Sequence, residues 1–285
     1  MFSDLLKSQL KSETKKKLKK AFPKIYERSL RKRILNTYKL RKFYNKSDDS
    51  LHLGKTVLPV KLFCNSNLIG IFESEFADII YPFLPDDFNM NHSYDEGPYI
   101  LGQCKVNKGD VVFDCGANIG LFSAMLADYE CICYAFEPMP ANISYLEKII
   151  SLNPHILLAP YAVGDTEGSI QFVNTEYCST ETKIASDKNE FDNAEKITVN
   201  SITLDSFVNK NNIKKVDFIK SDIEGAERLL LKGAQGILKE FKPKLSISSY
   251  HLPDDPEVLR ELILEANSNY IIEEHYKKMY AHVPE

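Results

Sequence analysis

The chain has 285 residues, 44% hydrophobic and 27% charged, the make-up of a globular protein with room for one α/β domain and an extension. Its formal net charge is −4, yet sixteen of the 36 lysines and arginines fall before residue 47, so the remainder is distinctly acidic. No run is long and apolar enough to span a bilayer, no secretory h-region is evident, and six cysteines without a C-x-x-C pair read as reduced core thiols, which fits a cytoplasmic compartment.

Residues 1–50 read as a basic helical extension. Pro23 divides it and suits the first turn of a second helix, in which Ile25, Tyr26, Leu30, Ile34 and Tyr38 recur at helical spacing among Arg28, Arg31, Arg33 and Arg41. Such a helix could lie on an anionic membrane, which would make the protein peripheral to it. The same residues also read as a helix that holds an anionic substrate near the enzyme, and more readily as a solvated arm or a homo-oligomer contact. Interleaved stacking aromatics are few, which speaks against nucleic acid. Lys46–Ser50 is a polar break and linker. Residues 51–105 then form a hairpin (Val57–Cys64 with Leu68–Phe72) and a lid or cap segment, with a loop at Tyr81–Asn91 and a short helix at Pro98–Cys104.

Residues 106–285 alternate strand and helix. Strands are expected at Val111–Phe113, Cys131–Phe136, Ile156–Pro160, Val216–Ile219 and Lys244–Ser248. Helices are expected at Ile119–Asp128, Pro140–Ser151, Leu204–Asn209 and Pro256–Asn267. That rhythm predicts a doubly wound, mostly parallel sheet of the Rossmann-like kind, whose ligands sit beyond the carboxyl ends of the strands. Ser169–Val173 and Ile197–Val199 break the rhythm around a polar loop, and Tyr270–His275 with Met279–Val283 closes the chain as an antiparallel hairpin.

The organising stretch is Val111–Gly120, VVFDCGANIG: a buried strand, a glycine turn and a helix start offering N–H groups to a polar ligand. Gly116 and Gly120 allow close approach to the backbone. About twenty residues on, Glu137 ends the second strand at the spacing of an acid that binds ribose hydroxyls, or simply caps the next helix. Asn118 stands where a dinucleotide fingerprint has glycine, and it either bonds the ligand or steadies the turn. Asp114 at the strand end repels a pyrophosphate but suits a cation such as a sulfonium. Further acids follow the fourth strand at Asp222 and Glu224, and His251 follows the fifth. The three are candidates for taking a proton, the acids also for holding a divalent metal or capping a helix, and His251 for a purely structural role.

Five segments in order, VVFDCGANIG, AFEP, AVGD, FIKSDIEGAE and ISSYHLPDD, resemble the FkbM family of S-adenosylmethionine-dependent methyltransferases over roughly Tyr94 to Val283. The resemblance implies a seven-stranded class I methyltransferase sheet and, by analogy, O-methylation of a small-molecule acceptor, a sugar or glycan hydroxyl or a secondary metabolite. It implies that Asp114, Gly116, Ala117, Asn118 and Gly120 hold the methionine part of S-adenosyl-L-methionine, that Glu137 binds its ribose, and that Ala162 and Val163 line the adenine. Asp222, Glu224 and His251 would face the reacting methyl group and the acceptor. Two rival classes share the βαβ unit. A nicotinamide-dependent dehydrogenase is disfavoured by Asp114 and Asn118. A non-catalytic nucleotide-binding protein is disfavoured by the acids at 222 and 224.

Overall fold

Residues 23–37, 40–64, 68–75, 79, 96–173, 183–184 and 196–284 are described by the structure, a computed structural model. The chain divides into two units, one drawn from Met1–His52 and Leu58–Ser74, the other from Leu53–Val57 and Glu75–Glu285.

In the first unit, α1 (Pro23–Thr37) starts at the proline, as its fixed φ favours. Leu30, Ile34 and Leu35 are buried while Ile25 stays exposed, so only part of the apolar stripe is covered. Arg31 pairs with Asp49 and with Glu27 (3.2 Å), and Arg33 with Glu73 (2.5 Å), so these two basic residues already face carboxylates. Residues 1–22 and Tyr38, which carry the rest of the basic-arm expectation, lie outside the described residues.

Three expectations for this region are corrected. Lys46–Ser50 is not a linker but the turn joining β1 (Tyr44–Asn45) to its antiparallel partner β2 (Ser50–Leu53), shaped by Asp49 at φ 56°. β3 is Thr56–Pro59, and the hairpin foreseen at 57–72 is replaced by two helices, α2 (Val60–Phe63) and α3 (Leu68–Glu75). Leu68, Ile69, Ile71 and Phe72 are all buried, at i, i+1, i+3, i+4 spacing, a helical face that a short apolar run disguises as strand. Pro98–Cys104 is no helix: Leu101 and Cys104 bridge across a turn with Gly102 at φ 57°. The Tyr81–Asn91 loop lies outside the described residues.

The second unit is built on β4 (Val111–Cys115), β5 (Ile132–Phe136), β6 (Ile156–Ala159), β11 (Phe218–Ser221), β12 (Lys244–Ser248), β13 (Ile271–His275) and β14 (Lys278–His282). Their order is β13-β14-β12-β11-β4-β5-β6, with β14 antiparallel to β12 and to β13 and the other neighbours parallel. β4 is buried at every position, as a strand covered on both faces must be. A second sheet, β7 (Ala162–Val163), β10 (Lys196–Ile202), β8 (Gly168–Val173) and β9 (Lys183–Ile184), places one strand inside the stretch read as loop.

Four helices fall where the periodicity places them, α4 (Leu121–Met125), α5 (Pro140–Ile150), α6 (Leu204–Lys210) and α9 (Asp255–Ala266), and α7 (Glu227–Lys232) and α8 (Gln235–Glu240) lie between β11 and β12. Thr203 caps α6 by accepting the Ser206 N–H at 3.1 Å. Phe113, Phe136 and Phe207 meet edge-on, with centroids 4.7–5.8 Å apart, and lock α6 to the sheet. The tip Leu53–Val57 docks on the end of α4: Thr56 Oγ1 donates to the Ala124 carbonyl at 2.8 Å, and Asn153 bonds both backbone groups of Val57. No helix among the described residues is long and apolar enough to cross a membrane.

The winding fixes the site. From β4 the chain moves outward to β5 and β6, then returns to the other side for β11 and β12, so strand order reverses at the β4–β11 pair. Cys115 is opposite both Phe136 and Ser221, and Ser221 is opposite Ile247. The turns that follow, bearing Gly116, Glu137 and Asp222, therefore leave the sheet side by side.

Candidate active site

The glycine turn after β4 is held from two sides. The Gly116 and Ala117 N–H groups donate to the Phe136 carbonyl at 3.1 and 2.9 Å, and the Asn118 N–H donates to Glu137 Oε2 at 2.9 Å. Gly116 is at φ 79°, and a Cβ there would lie 1.9 Å from the Asp222 carbonyl oxygen. What approaches this glycine is thus the neighbouring turn's own backbone. Gly120, at φ 87°, precedes α4 and sits where a Cβ would strike Leu146 of α5.

Glu137 is 4% exposed, with Oε1 accepting the Met139 N–H (2.9 Å) and the Asn142 amide (3.3 Å). Burial pushes its pKa up to about 7, against the pull of those donors and of Asn118. It thus holds the N–H of Met139, the residue before α5, while standing against the glycine turn. Asn118 Oδ1 beside it is buried without a hydrogen-bond partner among the described residues. Ala162 and Val163 are buried in β7, opposite Ser201 and Ile202 of β10, and Val163 packs with Phe136 and Ala159.

The charge argument built on Asp114 needs correction. Its side chain is wholly buried, Oδ2 accepting from Ser123 Oγ at 2.6 Å and Oδ1 lying 3.0 Å from Lys220 Nζ. The lysine cancels the negative charge that was to favour a cation. Lys220, 3% exposed, also donates to the Gly116 carbonyl at 2.8 Å. Burial alone would lower its pKa, but Asp114 and Asp222 outweigh that and hold the ammonium above its ordinary value. Lys220 escaped the sequence reading, although a lysine inside a buried strand demands a partner; Asp114 is its direct cross-strand neighbour.

On the other side, Asp222 Oδ2 accepts from Tyr99 Oη at 2.5 Å, and Lys220 and Lys278 stand over the Tyr99 ring at 5.0 and 4.3 Å. His251 Nε2 lies 3.6 Å from Asp222 Oδ1 and 3.7 Å from Glu224 Oε2, while Nδ1 lies 3.2 Å from Glu227 Oε1. The sequence-named trio of Asp222, Glu224 and His251 is thus brought together, with Tyr99 and Glu227 as unforeseen members. Burial pulls the imidazolium pKa down, but the facing carboxylates of Glu227, then Asp222 and Glu224, lift it to about 9. Asp254, the residue before α9, makes no side-chain cap bond; Asp254 and Asp255 bind Arg228 at 2.6 and 2.7 Å.

Residues 114–272 match the methyltransferase FkbM domain. The chain belongs to the FkbM methyltransferase family. It is 26% identical over 169 residues to the hexuronic acid methyltransferase AglP of Haloferax volcanii, covering 57% of this chain and 64% of that protein. Its fold is similar to that of the methyltransferase FkbM from Methylobacillus flagellatus KT, at TM-score 0.52 and 20% identity, over 88% of this chain and 59% of that one. The chain thus spans less than two thirds of either. The seven-stranded, mostly parallel sheet is the class I, Rossmann-like methyltransferase fold, and the family match sets the chain among methyltransferases rather than nicotinamide dehydrogenases.

Proposed function

We propose that the protein transfers the methyl group of S-adenosylmethionine to a hydroxyl of a sugar or glycan, or of a secondary metabolite. The observation that carries the reading is the contact between the Gly116 turn and the Asp222 turn, too tight for a Cβ, because it sets a donor-binding turn against a cluster able to manage the acceptor's proton. The residues fit the donor: Asn118 Oδ1 is a buried polar atom with no hydrogen-bond partner among the described residues, and the Asn118 N–H donates to Glu137 Oε2. The turn 114–120 would hold the methionine part, Glu137 the ribose, and Ala162 and Val163 the adenine. The similarity to AglP, a hexuronic acid methyltransferase, supports a sugar acceptor.

When bound, the donor supplies an activated methyl group, so the protein's task is alignment and proton removal. In-line attack by the acceptor oxygen on the methyl carbon would break the carbon–sulfur bond and leave its electron pair on sulfur. Asp222 is fixed by Tyr99 on one oxygen and faces His251 with the other. Asp222 or Glu224 would take the hydroxyl proton, with His251 standing 3.6 and 3.7 Å from the two carboxylates. Calorimetric titration with S-adenosylhomocysteine tests the reading, and absence of binding would end it. A screen of cell-extracted glycans with radiolabelled donor then identifies the acceptor.

Cytoplasmic residence with a peripheral membrane contact through the basic N-terminal helices belongs to the same proposal. Its support is the excess of lysine and arginine before residue 47, and co-sedimentation with anionic against neutral vesicles tests it.

A further inference from the structure

We infer that Asp222, Glu227 and His251 form a binding site for one divalent cation of the Mn²⁺ class. One ligand atom from each lies within 4.8 Å of the others. Ligand atoms of a single such ion stand at most ~4.4 Å apart, so a small side-chain rotation closes the set. The donors come from the ends of adjacent strands: Asp222 follows β11 and His251 follows β12.

Two of the three are already held in place. The fully buried Glu227 accepts the Ile223 and Gly225 N–H groups at 2.8 and 3.0 Å, and Asp222 accepts from Tyr99. A carboxylate with one lone pair on each oxygen so engaged retains capacity for a cation. His251 supplies the independent pointer. Its side chain is 9% exposed, both ring nitrogens are shut off from solvent, and among the described residues neither has a hydrogen-bond partner of acceptable angle, although carboxylates face both. A ring oriented only for structure would donate a well-aligned bond to one of them.

Charge argues the same way. Three carboxylates (Asp222, Glu224, Glu227) surround one imidazole; even with the ring protonated the group keeps a charge of −2, from −3 and +1. The neighbouring ammonium of Lys220 is paired with Asp114 and the Gly116 carbonyl. A divalent ion removes that excess and lets His251 serve as a neutral ligand. Two oxygens and one imidazole suit Mn²⁺ better than Mg²⁺ or Ca²⁺, which favour all-oxygen shells.

The inference rests on the proposed methyl transfer only for what the ion does there. It would acidify an acceptor hydroxyl bound as a further ligand, whose proton passes to the more exposed Glu224 and on to water.

The test uses the full chain stripped with a chelator. Mn²⁺ is titrated while its free-ion paramagnetic resonance signal is followed, and S-adenosylhomocysteine is titrated calorimetrically into the same samples. One Mn²⁺ per chain is expected, with affinity falling about tenfold or more in His251→Gln and Asp222→Asn, both checked for folding by circular dichroism. No bound Mn²⁺, unchanged binding in folded His251→Gln, or binding of Zn²⁺ alone would overturn the site. If the homocysteine binds and Mn²⁺ does not, the ion falls and methyl transfer stands. The reverse result keeps the ion and removes methyl transfer.

Discussion

Gly116→Ala is the sharpest probe of how the two turns are tied. At φ 79° an alanine carries the left-handed penalty of ~1–2 kcal/mol. Its methyl group would also sit 1.9 Å from the Asp222 carbonyl oxygen, where contact begins near ~3.5 Å. The obstacle is backbone, and the Asp222 N–H is itself bonded to the Cys115 carbonyl at 3.1 Å, so no side-chain rotation relieves it. Overpacking of this kind costs about 1–3 kcal/mol, giving a total of about 2–5 kcal/mol. Gly109→Ala is the control: φ is 81°, but nothing lies within 4 Å of its added Cβ, so strain alone acts. The chain has no tryptophan, so urea unfolding is followed by far-UV circular dichroism. The difference between the two variants isolates the clash. Gly116→Ala should also weaken S-adenosylhomocysteine binding by about tenfold or more, since Asp222 must retreat and drag the turn with it. Equal stabilities within about 0.5 kcal/mol, with wild-type ligand affinity, would refute the argument.

Glu137 sets a pH dependence. Its folded-state pKa is raised from the usual 4.5 to about 7, so the folded chain binds that proton more tightly than the unfolded chain. Stability therefore declines as pH rises through that window, by about 3 kcal/mol at most. Glu137→Gln should flatten the slope between pH 5 and 8 in urea titrations and weaken ligand binding; an unaltered slope would remove Glu137 as its source. Lys220→Met strands the buried Asp114 carboxylate and should cost about 3–5 kcal/mol, part of which Asp114→Asn restores in the double variant. Additive losses would show that the pair is not coupled. Asp222→Asn should lower turnover by about a hundredfold or more while leaving calorimetric affinity for S-adenosylhomocysteine within a factor of about three. A parallel loss of affinity would assign Asp222 to donor binding instead.

Legibility in the sequence followed how local each cause was. The strands β4, β5 and β6 were readable because each is a short, mostly apolar run, and β4 is buried at every position. The hairpin β2–β3 was missed because the bond that holds its turn, from the Lys55 N–H to Asp128, spans 73 residues of sequence. Helix α3 was mistaken for strand because eight residues hold too few turns for periodicity to separate the two. At the site, Glu137, Asp222 and His251 were visible because strand ends mark positions in this fold. Glu227 was not, since it looks like an ordinary first-turn acid of α7 until the structure shows it accepting two loop N–H groups and facing His251.

The sequence reading assigned Asp114 to the donor's charge, and the structure suggests a different logic. A buried aspartate on β4 and a buried lysine on β11, direct register partners, staple the two strands at which the winding reverses. The same lysine then reaches the Gly116 carbonyl, and the Gly116 Cα faces the Asp222 carbonyl. One ion pair thus fixes the separation between the turn proposed to hold the donor and the acid proposed to meet the acceptor. In-line transfer is sensitive to errors of about 1 Å. Binding the donor's positive charge was thus the lesser need at this position. Holding the distance across the β4–β11 seam was the greater, and a salt bridge sealed from water does that with little freedom.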